Sequence, residues 1–212
     1  MHRVDEGWDP IPADYAELYA EKAWHIYNSE ALVDRLSELA HGLENKRVLD
    51  LGGGPGQYSV LFARRGARVT WHDVSRQYEK IASARFLAAG VQIERSLGYL
   101  EDAQKFGPAS FDIVFSRVSW MYCRNDRHFA RLLMSLVRPG GLAYIECDTP
   151  IHAKPKGLRG WQHRLNEYAG WKIGHPLPPQ GRIGRLISKY PVRFLQFDYS
   201  SPLQDKVIFI KA

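Results

Sequence analysis

Apolar residues along this chain change their period several times, and each change marks a strand or a helix. Residues 13 to 43 carry two helical stripes, one through Tyr15, Leu18, Tyr19 and Trp24, the other through Leu32, Leu36, Leu39 and Leu43. Val48, Leu49 and Leu51 then form the short apolar run of a buried parallel strand, and Gln57 to Arg65 returns to a helical pattern. A second, β-branched run, Ala67 to Ser75, contains Asp73 near its end, and Ser75 suits the N-cap of a helix over Arg76 to Ala89. Gly90 to Arg95 predicts a short third strand and Phe111 to Arg117 a fourth. Leu136 to Glu146 reads as a helix stop, a turn at Pro139-Gly140-Gly141 and a fifth apolar strand. Pro176-Leu177-Pro178-Pro179 marks a stiff extended loop. Beyond it, Tyr190 to Phe197 and Lys206 to Ile210 read as two closing strands, an antiparallel edge to the sheet.

The turn between the first strand and its helix carries the chemistry. Asp50-Leu51-Gly52-Gly53-Gly54-Pro55-Gly56 crowds four glycines where the chain must reverse, and glycine lets a ligand approach the backbone closely. A bare turn is one reading. A dinucleotide site wants G-x-G-x-x-G, with pyrophosphate seated on the helix N-terminus. Here Gly52, Gly54 and Gly56 give G-x-G-x-G, and Asp50 stands two residues ahead, where it would repel phosphate and attract an ammonium or sulfonium centre. Asp73 lies at the end of the second strand, where nucleoside-binding α/β folds place the acid that accepts ribose hydroxyls. Its alternative role is a helix cap.

With the glycine loop, Asp73, the Phe111-Asp112-Ile113-Val114-Phe115-Ser116-Arg117 strand and the Arg138-Pro139-Gly140-Gly141 turn in this order, residues 45 to 148 resemble the class I S-adenosylmethionine (SAM)-dependent methyltransferases. The resemblance implies an α/β fold: a doubly wound, seven-stranded, mostly parallel Rossmann-like sheet with an antiparallel final strand. It implies one domain over residues 1–212, divided into an N-terminal helical lid (1–44), a SAM-binding core (45–148), a basic aromatic insertion on the substrate side (149–190) and a terminal strand pair (191–212). The aromatic stripe of the first helix reads as core on periodicity and as lid on the resemblance. SAM contacts are then expected from Tyr19, from Asp50, Gly52, Gly53, Gly54 and Gly56, from Asp73 and Val74, from Gly98, Tyr99 and Leu100, and from Ser116. The family usually places an acid after the third strand for the adenine amino group; here Tyr99 stands near that position, with Glu101 and Asp102 beside it. Asp112 and Arg138 read as structural.

Composition narrows the setting and the acceptor. A chain of 212 residues suits one α/β domain, and no stretch approaches the ~18 continuous apolar residues of a membrane span. Met1 to Glu6 is polar and lacks a signal-peptide core, so a cytoplasmic protein is expected. Cys123 and Cys147 lack disulfide or zinc spacing and read as reduced, buried thiols. Residues 1–150 carry 18 basic and 20 acidic residues, whereas residues 151–212 carry 11 and 3, so the basic excess is C-terminal. It falls beside Trp161, Tyr168, Trp171, His152, His163 and His175, a mixture that suits either nucleic acid or a small anionic substrate. No nucleic-acid-binding signature is present, and Ser116-Arg117-Val118-Ser119 stands where an N-P-P-Y tetrapeptide for base methylation would be. The expected acceptor is therefore a small polar or anionic molecule methylated on oxygen or nitrogen, with an RNA-directed enzyme and a catalytically silent SAM-binding protein as alternatives. His152 and His163 are the candidate bases, followed by Tyr122 and His128. Glu146 and Asp148 are two acids at the fifth strand, too few to indicate a metal, and none is expected. The sequence carries no signal of oligomeric state.

Overall fold

The structure, a computed structural model, describes residues 9–150, 157, 160, 161, 165, 172, 174–198 and 200–212. Two helices, α1 (Ala13–His25) and α2 (Glu30–Leu39), precede the sheet. The chain then alternates through β1 (Arg47–Leu51), α3 (Gln57–Arg64), β2 (Arg68–Asp73), α4 (Arg76–Ala88), β3 (Glu94–Leu97), β4 (Phe111–Arg117), α5 (Asp126–Leu136) and β5 (Val137–Asp148). It closes with α6 (Arg182–Ile187), β6 (Val192–Asp198) and β7 (Gln204–Lys211). Short 3-10 turns at Leu100–Phe106 and Trp120–Tyr122 flank β4.

The seven strands lie in the order β3-β2-β1-β4-β5-β7-β6. β1 to β5 pair in parallel, and β7 runs antiparallel to both of its neighbours. The expected sheet is thus present. Strand order reverses between β1 and β4, so the carboxyl ends of these strands open a crevice of the kind in which α/β sheets bind ligands.

Alternation along the strands sorts side chains between two cores. Leu49, Leu51, Val114, Ala143 and Ile145 pack under α5 and α6, while Val48, Ile113, Phe115, Leu142 and Tyr144 pack under α2 and α3. β3 departs from expectation, running from Glu94 to Leu97 rather than Gly90 to Arg95. Val91 and Ile93 pack beside Phe86 of α4 instead, so the apolar run covers a helix before pairing begins.

α1 buries alanines, Ala16, Ala20 and Ala23; of its apolar stripe, Tyr19 and Trp24 pack against the cluster that holds Ala16, Tyr78 and Phe86, while Tyr15 and Leu18 stay exposed. It docks on α4 through polar ties. Arg85 reaches Glu21 at 2.7 Å and lies 4.4 Å over the Trp24 ring, while Asp9 accepts from the backbone N–H of Gln77 at 3.0 Å.

A buried ionic knot joins distant parts of the chain. Asp126, fully buried, accepts from Lys172 Nζ at 2.8 Å, Arg182 Nε at 3.1 Å and Trp120 Nε1 at 2.8 Å. Lys172 also donates to the Trp120 carbonyl at 2.9 Å and lies 3.2 Å from the Cys123 thiol. Cys123 and Cys147 are both buried and unbridged, as expected. No helix among the described residues is long and apolar enough to cross a membrane.

Candidate cofactor and acceptor site

β1 ends in the glycine loop, and the loop is held almost wholly by its own backbone. The amides of Gly52 and Gly53 donate to the His72 carbonyl at 2.8 and 3.2 Å, and that of Gly56 to the Gly53 carbonyl at 3.0 Å. The Gly54 amide donates to Asp73 Oδ2 at 2.9 Å. All four glycine amides are therefore committed inside the protein. A pyrophosphate cradle needs such N–H groups turned outward, so this loop is not built for phosphate.

Two of the glycines differ instructively. A Cβ on Gly53 would stand 2.3 Å from the Trp71 ring, whose indole N–H donates to the Gly54 carbonyl at 3.0 Å, so packing alone requires a glycine there. Gly54 has φ +50° and nothing within 4 Å of where its Cβ would be. Its outer side opens onto free space.

Two acids back this space. Asp50 is 3% exposed, and its carboxylate accepts from Ser59 Oγ at 2.6 Å. Burial pushes its pKa up to about 7 against the Ser59 hydrogen bond, and the nearby Asp73 adds to the rise. Asp73 Oδ1 accepts from the Ser75 N–H at 2.9 Å while Oδ2 takes Gly54, and burial raises this carboxyl as well. Asp73 therefore clamps loop to strand end, and the cap of α4 is the Ser75 hydroxyl, which accepts from Tyr78 N. Each carboxylate oxygen still has a lone pair to offer. A cationic ligand would relieve this acidic pair, so the residues present fit a sulfonium-bearing nucleoside.

The turn after β3 is fixed by a residue that sequence reasoning did not single out. His72, fully buried, has Nδ1 2.8 Å from Ser96 Oγ and Nε2 2.8 Å from the Tyr99 carbonyl. Burial lowers its pKa, which suits a neutral ring donating from Nε2 to that carbonyl. Gly98 N donates to the Asp73 carbonyl at 3.0 Å, which sets the turn at Gly98, Tyr99 and Leu100 beside Asp73. Asp102 accepts from Tyr99 N at 2.9 Å, closing the local turn, and Glu101 from Arg124 N at 2.7 Å, tying it to the loop after β4. Ser116 is buried, and its hydroxyl meets that of Ser119 at 2.6 Å, bracing the loop after β4.

Aromatic groups frame the crevice. Tyr19 lies 6.2 Å from Tyr15 and from Tyr27 and 6.0 Å from Tyr78. Tyr122 packs edge-on against His175 at 5.0 Å. His152 and His163 lie outside the described residues, as do most positions from 151 to 173.

Next to Tyr58, in the first turn of α3, a cavity of about 310 Å³ opens on the α2/α3 face, lined also by Ser29, Arg117, Tyr144, Glu146 and Lys206. Arg117 Nη2 stands 3.0 Å from Glu146 Oε1, and the Tyr144 hydroxyl donates to Glu146 Oε2 at 2.6 Å.

Comparison with known proteins decides what kind of site this is. Residues 48–141 match the family described as a methyltransferase domain. The ubiquinone biosynthesis O-methyltransferase of Erwinia tasmaniensis is 30% identical over 215 residues, covering 91% of this chain and 88% of that protein. The chain belongs to the SAM-dependent methyltransferases. The protein of the same name from Aeromonas salmonicida is 31% identical over 135 residues, 64% of this chain and just over half, 55%, of that protein. A SAM-dependent methyltransferase from Aquifex aeolicus shares the fold, with a TM-score of 0.67 at 14% identity, covering 95% of this chain and all of that one. The cofactor of this methyltransferase is SAM, and the glycine loop and acid pair described above are the parts of its sheet that suit that cofactor.

Proposed function

We propose that this methyltransferase acts on an oxygen or nitrogen of a small polar or anionic molecule, with oxygen the first choice. The observation that carries the reading is the likeness to two proteins named O-methyltransferases, one of them matched over nearly the whole chain. The polar cavity next to Tyr58 supports a small acceptor, since its volume lies at the lower end of small-molecule sites.

In this reading, Asp73 accepts from the ribose hydroxyls of the cofactor, held at a fixed angle by its two backbone partners. Val74, Gly98, Tyr99 and Leu100 line the adenine side. Asp50 sets negative charge beneath the loop, and Gly54 leaves room for close approach. Tyr19 covers the crevice from the lid helix. SAM supplies an activated methyl on a positively charged sulfur, so the chain's own task is to align the acceptor and exclude water. His152 and His163 remain the proposed bases wherever the acceptor must lose a proton.

Calorimetry with SAM and with its demethylated product tests the cofactor side, and Asp73→Ala should abolish most of that affinity. Methyl transfer from labelled SAM to matched hydroxyl and amine acceptors tests the atom; transfer to amines alone would reverse the choice. The RNA reading rests on the basic excess in residues 151–212, and salt-sensitive binding of RNA in a mobility-shift assay would revive it.

A further inference from the structure

The floor of the cavity is one row of four charges. Arg117 of β4 pairs in register with Glu146 of β5, Glu146 with Lys206 of β7, and Lys206 with Asp198 of β6. The row thus reads plus, minus, plus, minus across four adjacent strands, and all four side chains line the same cavity. The register row toward the sheet interior holds Phe115, Tyr144 and Ile208, the apolar filling expected if packing were the only demand. Burying an ion pair costs desolvation that apolar residues would avoid. Arg117 and Glu146 are buried to that degree, with side chains 17% and 4% exposed.

Two groups in the row are less satisfied than the others. Glu146 Oε1 lies near Arg117 but off the hydrogen-bonding direction, and it is buried with no aligned hydrogen bond. Lys206 has one ionic partner within reach among the described residues, Asp198, at the outer limit of 4.0 Å. Asp198 itself accepts from the Ser200 N–H at 2.9 Å, which draws its carboxylate toward the loop. The cavity therefore offers an ion pair, Arg117–Glu146, and a part-exposed cation, Lys206, on neighbouring strands. Its complement is a molecule with a hydroxyl at one end and an anionic group at the other.

We propose that this charge row is the acceptor subsite, and that it selects a compact hydroxylated acid. The hydroxyl lies at the Arg117–Glu146 pair, and the carboxylate lies against Lys206, with Gln196 and Gln204 at the same wall. This rests on the reading of the chain as a small-molecule methyltransferase. Tyr58 ties the cavity to the donor loop: it lines the cavity, follows Gly56 by two residues, and carries the Arg117 guanidinium 5.6 Å over its ring. Gln196, Asp198, Gln204 and Lys206 make the far side of the cavity polar, which disfavours apolar substituents there.

The test uses hydroxyphenylacetate and its uncharged amide as paired probes, titrated calorimetrically into the full chain saturated with S-adenosylhomocysteine. The acid should bind at least about tenfold tighter than the amide, the effect of ~1.4 kcal/mol from one partly desolvated charge. Lys206→Gln should remove that preference while leaving the amide and S-adenosylhomocysteine affinities unchanged. Glu146→Gln should weaken acid and amide alike, since it alters the hydroxyl end. Equal binding of acid and amide, no binding of either probe, or a Lys206→Gln loss shared by both would overturn the proposal. Loss of S-adenosylhomocysteine binding by the unmodified chain would instead count against the methyltransferase reading itself.

Discussion

Asp50 should make donor binding depend on pH near neutrality. Its carboxyl is buried with Ser59 as its hydrogen-bond partner and Asp73 nearby, and its pKa stands at about 7 against an ordinary 3.8. That rise of about three units, at ~1.4 kcal/mol each, sets about 4 kcal/mol against the ionised form in the ligand-free fold. A group that binds its proton more tightly when folded loses stabilising power as pH rises. The ligand-free protein should therefore lose stability between about pH 4 and pH 7 through this residue. A sulfonium beside the acid reverses the preference, so SAM binding should release a proton. With a pKa near 7 the ionised fraction rises about tenfold from pH 6 to pH 8, and SAM affinity should rise with it by ~1.4 kcal/mol. Calorimetry at both pH values, in two buffers of different ionisation enthalpy, counts the protons. Asp50→Asn should flatten the pH dependence, and S-adenosylhomocysteine, which lacks the sulfonium charge, should show less of it. Affinity that is flat or falling from pH 6 to pH 8 in the unmodified protein would refute the reasoning.

Three other outcomes follow from the geometry. Asp126→Ala leaves Lys172 and Arg182 buried without their carboxylate, so it should cost about 3–5 kcal/mol, or roughly 10 °C in thermal melting; a loss below 1 °C would show that the knot is not stabilising. Gly53→Ala forces a methyl against the Trp71 ring and should destabilise by about 1–3 kcal/mol. Gly54→Ala meets only backbone strain, about 1 kcal/mol, but should weaken SAM binding severely because the methyl enters the open space; unchanged affinity would move the donor elsewhere. Asp73→Ala removes the clamp on the Gly54 and Ser75 amides, so its loss of SAM affinity should come with increased hydrogen exchange at the glycine loop.

The parts of this fold that could be read in the sequence are those whose cause is local. The glycine loop, the Asp73 strand end and the Ser75 cap each depend on a few consecutive residues, and all lie where their patterns put them; the turn expected at Pro139-Gly140-Gly141 falls inside β5 instead, at a shift of register against β4. β3 was shifted because Val91 and Ile93 are apolar for α4 rather than for the sheet, a choice periodicity does not express. The charge row was invisible for a stronger reason. Arg117, Glu146, Lys206 and Asp198 become neighbours only because β7 inserts between β5 and β6, and nothing local encodes that pairing. His72 was hidden in a β-branched run, where a polar ring bridging two segments looks like any strand residue. The candidate bases His152 and His163 remain proposals from sequence alone.

Asp126, Lys172 and Arg182 bear on how this enzyme could diversify. In the proposed reading the segment after β5 lies on the substrate side, yet two of its cations end on a carboxylate that belongs to α5. A graft that replaces residues 149–190 without bringing both cations would strand a buried charge, and one that keeps them inherits a fixed anchor for the new loop. Specificity here is transplantable only together with its root, which makes Asp126 a constraint on design as firm as any residue that touches the cofactor.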